Sequence, residues 1–122
     1  MQAVTSLGKY LFIVPFLAFG VMHLMNANAM AGMVPIPGGA LWVYVTGIAM
    51  IAAAVSILIG KMDRLATTLL GVLMLIFALG VHLPGAMNAA DEMGKMMSMS
   101  GLLKDIGLAG GAWIYARAMA KE

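Results

Sequence analysis

The chain contains no cysteine. That excludes a disulfide framework, a thiolate nucleophile and thiolate metal ligation. Charge is almost as scarce: Asp, Glu, Lys and Arg make up 10% of the 122 residues, against about a quarter in soluble domains. The net charge is only +2 and no Lys/Arg run exists, so nucleic acid is not an expected partner. Histidine occurs twice, as His23 and His82. No P-loop, G-x-G-x-x-G, H-E-x-x-H or Ser-His-Asp order is present, so none of the chemistries those patterns carry is indicated.

What fills the chain is hydrocarbon. Hydrophobic residues reach 63% and the mean hydropathy is +1.00, which places the protein in the membrane class. The 14 methionines are mostly apolar filler of a kind membrane helices tolerate. About 20 residues at 1.5 Å each cross the hydrocarbon. Four apolar runs meet that length, over residues 7–30, 40–60, 65–83 and 102–119. The expected architecture is therefore an all-α, integral membrane four-helix bundle in a single domain, 1–122. Lys9 and Tyr10 mark the start of the first span as an interface, and Trp42 and Tyr44 do so for the second. Pro15 removes one backbone hydrogen bond from the first span and is expected to bend it. A secretory signal peptide is the competing reading of this run, with Lys9 in the n-region and Ala27-Asn28-Ala29 as the cleavage site. The run is longer than the usual h-region of about 7–15 residues, and His23 fits poorly in one.

The connections are expected over residues 33–39, where Pro35, Pro37, Gly38 and Gly39 break the helix, at the charged turn 61–64, and over residues 84–101. In the last of these, Met93, Met96 and Met97 suit a short amphipathic turn on the membrane surface, and Ser100 is the expected cap of the final helix. At about 100° per residue, Trp42, Ala49, Ala53, Ser56 and Gly60 share one stripe. Gly71, Leu75 and Ala78 lie on the His82 face. Asp105 heads a stripe of Ala109, Ala112 and Ala116. Small-residue faces of this kind let helices approach closely, within one chain or in a homo-oligomer.

Orientation follows from the cations. With both termini cytoplasmic (N-in/C-in), Lys9, Lys61, Arg64, Arg117 and Lys121 lie inside and Lys95 and Lys104 outside, as the positive-inside rule requires. The bacterial inner (cytoplasmic) membrane is the expected location. Both histidines then fall near the outer ends of their helices. Polar side chains within the hydrocarbon are costly and face protein or a water-filled cavity. A ligand pocket of His23, Asn26, His82, Lys104 and Asp105, roofed by Trp42, is the expected solution.

Three ligand classes suit such a pocket. A quinone or other small molecule can be held by a histidine donor with Asp105 tuning it, and proton relays use the same residue types. Thioether and imidazole ligands suit Cu(I), and Met22, Met25, Met30 and Met33 with His23 and His82 form the expected metal set. Haem b held by both histidines is the third class, although no pattern for its propionates is evident. A plainer account leaves all three aside: Asn26, Asp105 or backbone carbonyls satisfy the histidines, which only hold helices together.

Gly20-x-x-His23-Leu24 in the first span, the proline-glycine exit, Gly47 early in the second span, Gly60 before a short basic turn, and Val81-His82 closing the third resemble the DoxX-like family of small membrane proteins. The resemblance covers nearly the whole chain. It implies a four-helix inner-membrane protein in redox or stress physiology, more an accessory subunit than an enzyme on its own, with a redox enzyme as partner. Many members carry a glutamate three residues after the second-span glycine, where this chain has Met50. A mechanism built on that carboxylate is not expected here. Soft-metal handling and a purely structural assembly role stand as the alternatives.

Overall fold

A computed structural model describes residues 1–33 and 37–122. Residues 34–36, which carry Pro35 of the expected connection, lie outside the described residues. Every regular element among the described residues is helical. Four long helices dominate: α1 (Gly8–Met25), α2 (Ala40–Ile59), α3 (Asp63–Met87) and α4 (Glu92–Ala118). Among the described residues three stretches are long and apolar enough to cross a membrane, Gln2–Met25, Ala40–Ile59 and Asp63–Met87. The fourth long helix is not among them, and its composition supplies the reason. Lys104 and Asp105 lie at its middle and Arg117 in its last turn, and glycines dilute the apolar residues between them.

Helix ends differ from the sequence expectation in three places. The first run breaks at Asn26, whose backbone leaves the helical region (φ −126°, ψ 26°), and resumes as a single turn, Ala27–Met30. The third helix does not stop at residue 83. It passes through a π turn at Ala78–His82 and continues as α-helix over Leu83–Met87, with Pro84 tolerated near the start of that last piece. The fourth helix begins at Glu92, well before Ser100. Its cap is Asp91, whose Oδ1 accepts from the Gly94 N–H at 2.7 Å, the ordinary way to satisfy a first-turn donor. Met93, Met96 and Met97 are thus exposed residues of the first turns of α4.

The core draws on all four helices: Ile13 and Phe16 from α1, Met50, Ala54 and Ile57 from α2, Leu70 and Met74 from α3, and Ala109, Ala112 and Tyr115 from α4. Gly20 meets Ile51 and His23 meets Gly47, so α1 and α2 run antiparallel; Asp63 meets Tyr115 and His82 meets Gly101, so α3 and α4 do too. A Cβ on Gly20 would stand 2.9 Å from the Gly47 carbonyl, and one on Gly47 would stand 3.0 Å from the Gly20 carbonyl. The backbones of α1 and α2 therefore nearly touch at this crossing, and only glycine fits on either side. The buried residues of α2 are Val43, Gly47, Met50, Ala53, Ala54 and Ile57, so of the expected stripe within the helix Ala53 is buried, while the face as a whole is turned toward Met50 and Ile57. Met50 is thereby fully buried in the core. Ala49 and Ser56, with Ala53 at the edge of the core, line an apolar groove of about 460 Å³ between α2 and α3.

Facing outward, the helices are also apolar. Leu11, Val14, Ile48, Ile59, Leu69, Ile76 and Ile114 are all exposed. Helices that are hydrophobic on every side are stable when the surrounding medium is itself apolar.

Candidate functional site

Asp105 sits on the same stripe of α4 as Ala109, Ala112 and Ala116, and all four are buried. The 4-3-4 spacing keeps that stripe turned inward, so a carboxylate is carried into the interior by the periodicity that buries its neighbours. Only 2% of Asp105 is exposed. Opposite it, the π turn of α3 brings His82 against α4. Gly101, one turn before Asp105, provides the space: a Cβ there would stand 2.7 Å from His82 Nδ1.

His82 Nε2 lies 3.0 Å from Asp105 Oδ2. Among the described residues, buried Oδ2 meets no donor in hydrogen-bond alignment. At 3.0 Å the imidazole and the carboxylate are close enough to share a proton, and a carboxylate oxygen has more than one lone pair with which to accept. Lys104 completes the group from the rim. Its Nζ is 3.7 Å from Asp105 Oδ1 and 4.3 Å from the ring centroid of Phe19 on α1, a cation–π distance. A buried carboxylate is costly unless paired and hydrogen-bonded. Here it has two cationic or potentially cationic neighbours and one open acceptor atom. Such a group can hold a donor from a ligand, or pass a proton between Asp105 and His82.

The other expected pocket residues are placed differently. His23 Nδ1 is 2.6 Å from the Phe19 carbonyl. A carbonyl only accepts, so Nδ1 carries the proton and Nε2 is the remaining ring position. The His23 ring stacks on Phe77 with centroids 6.2 Å apart, and Gly47 lies against its Cβ. His23 therefore borders the same end of the helices, beside Phe19 and Phe77. Asn26 Nδ2 donates to the Met22 carbonyl at 3.0 Å, and Trp42 Nε1 donates to the Pro37 carbonyl at 2.7 Å. Both use their polar groups on nearby backbone. Of the expected metal ligands, Met22 and Met25 are exposed and Met30 is half-buried, while Met33 ends a short 3-10 turn, Ala31–Met33. Among the described residues no cluster of three or more His, Cys, Asp or Glu side chains could hold a metal.

At the opposite end lies a polar cluster the sequence did not announce. Asp63, the first residue of α3, is fully buried. Its carboxylate accepts from the Tyr115 hydroxyl at 2.8 Å, from the Lys121 N–H at 3.1 Å and from the Glu122 N–H at 3.0 Å. Met62 adopts the left-handed region at φ 55°, uncommon for a residue with a side chain, and its N–H donates to Glu122 Oε2 at 2.9 Å. Arg64 donates from Nε to the Ala116 carbonyl and from Nη2 to the Ala120 carbonyl, at 3.1 and 3.3 Å. The turn between α2 and α3 is thus tied to the last turn of α4 and the residues after it. Its only sequence signal was an Asp in a turn, where exposure is the default.

Together these features define a class: a helical protein with three helices fit to cross a membrane and a buried acid–base pair at one end. A family model described as a domain of unknown function (DUF8561) matches residues 13–116, and the chain belongs to that family. No curated protein and no solved structure matches it.

Proposed function

We propose that the protein is a multi-pass four-helix bundle of the bacterial inner membrane with both termini inside, in which the Asp105–His82–Lys104 group forms an outward-facing pocket for a small ligand. The observation that carries this reading is Asp105 Oδ2, a buried acceptor with no aligned donor. An atom in that state is matched by a ligand that donates, such as the hydroxyl of a quinol. Lys104 and His82 would serve the same ring as a quinone by donating to its carbonyl. One pocket can thus take both redox forms. That suits the DoxX-like resemblance and a role as accessory subunit to a redox enzyme rather than as an enzyme alone. The excess of Lys and Arg in residues 9, 61, 64, 117 and 121 supports the orientation.

The test is a native mass spectrum of the protein extracted in mild detergent, followed by titration with a short-chain quinol. Wild type should retain a quinone-sized mass or bind the quinol saturably, and Asp105→Leu should lose it. A bare polypeptide with no saturable quinol binding would reject the pocket.

A further inference from the structure

A cleft of about 430 Å³ lies between the start of α3 and the end of α4, lined by Arg64, Thr68, Trp113, Ala116 and Arg117. It is at the far end of the helices from Asp105. Two guanidinium groups border this one cleft. Among the described residues neither is in an ion pair, since the ion pairs found, His82–Asp105 and Lys104–Asp105, belong to the other end. Asp63 is next to Arg64 in the chain, but its carboxylate is turned to Tyr115 and the N–H groups of Lys121 and Glu122. Glu122 likewise faces the Met62 N–H. Two like charges sharing a cleft repel unless an anion lies between them.

The cleft is held in shape by the chain itself. Arg64 is anchored through Nε and Nη2 to the Ala116 and Ala120 carbonyls, which leaves three of its five N–H donors for another acceptor. Trp113 Nε1 donates to the Thr68 carbonyl at 3.1 Å. Its indole fills the space over Gly71, where a Cβ would collide with the ring. Arg117, in the last turn of α4, is exposed. An anchored guanidinium and an exposed one bordering one cleft are the side-chain types that recognise a phosphate.

We propose that this cleft binds an anionic phosphate group, supplied by a lipid headgroup or by a soluble phosphate. A lipid source rests on reading this end as the membrane–water boundary, where basic pockets between helices take anionic headgroups. The quinol pocket at the other end is independent of it.

The experiment uses the full chain in detergent and reads bound mass by native mass spectrometry in three arms: phosphatidylglycerol, phosphatidylcholine and inorganic phosphate. Each basic residue near a membrane surface contributes roughly five-fold in binding. Phosphatidylglycerol should therefore be retained more than about five-fold over phosphatidylcholine, and Arg117→Gln should remove most of that preference. Arg117 is the residue to change because Arg64 also ties helices together. Arg117→Lys should keep part of the preference, since it keeps the charge and loses the fork. Arg117-dependent binding of inorganic phosphate, with no preference between the lipids, would assign the cleft to a soluble anion. Equal retention of both lipids with no phosphate binding, or a preference that survives Arg117→Gln, would overturn the proposal.

Discussion

The Tyr115 hydroxyl donates to Asp63 Oδ2 at 2.8 Å, joining two residues 52 positions apart in the chain. The bond closes the end of the structure at which α3 begins and α4 finishes. Tyr115 also belongs to the apolar core, so one side chain serves both packing and polar closure. Tyr115→Phe keeps the ring and removes the donor. A hydrogen bond to a buried charged group contributes about 2 kcal/mol. The variant should lose about that much stability in a denaturing-detergent titration, and unchanged unfolding would mean that the backbone N–H groups of Lys121 and Glu122 suffice.

The crossing of α1 and α2 makes a second, sharper demand. Gly47→Ala puts a methyl group against His23 Cβ at 2.8 Å and the Gly20 carbonyl at 3.0 Å. Overpacking of this kind costs about 1–3 kcal/mol. Gly110→Ala is the control, because nothing lies within 4 Å of a Cβ there. It should be neutral or slightly stabilising, as expected for Gly to Ala in an exposed helix. Similar effects at both sites would place the close approach elsewhere.

For the buried pair the informative measurement is a double-mutant cycle. His82→Ala leaves the Asp105 carboxylate with Lys104 alone, and removing a neighbour of a buried polar group costs about 1–3 kcal/mol. Asp105→Leu together with His82→Ala should restore part of that loss. A coupling energy between the two sites of at least about 0.5 kcal/mol is expected. Strict additivity would show that the 3.0 Å approach carries no energy.

Gly71 offers a fourth test, by fluorescence. Gly71→Ala should lift the indole of Trp113 from its slot and break its bond to the Thr68 carbonyl. With Trp42→Phe as background, Trp113 is the single remaining tryptophan, and its emission should shift when Gly71→Ala is added. An unchanged spectrum would mean that the indole finds room without leaving.

The helical architecture could be read from the sequence because it rests on local quantities. Apolar run length and the 3.6-residue period were enough to foresee the stripe from Asp105 to Ala116 and the inward face of Gly71 and Ala78. Of the expected cluster, His82, Lys104 and Asp105 meet, while Asn26 and Trp42 turn their polar groups to nearby backbone, a choice that periodicity does not encode. The stripe of α2 was foreseen in part: Ala53 is in the core, but Ala49 and Ser56 border a groove while the larger Val43, Met50 and Ile57 are buried. The α4 start was hidden because glycine, charged and methionine residues together resemble a connection, and the Asp91 cap weighs little against that impression. Asp63 was hidden for a different reason. Its burial depends on donors more than 50 positions away, which no window of sequence contains.

The π turn at Ala78–His82 affects how relatives should be compared. A turn with i→i+5 bonding takes in one more residue than its α-helical counterpart. Beyond it, positions 83–87 keep their facing against α4 only by virtue of that extra residue. A family member with an unbroken α-helix here would need one residue fewer between its Gly71 and His82 equivalents to put a histidine against the same carboxylate. An ungapped alignment would then pair His82 with a neighbour and report the histidine as lost, although its place in space had been retained.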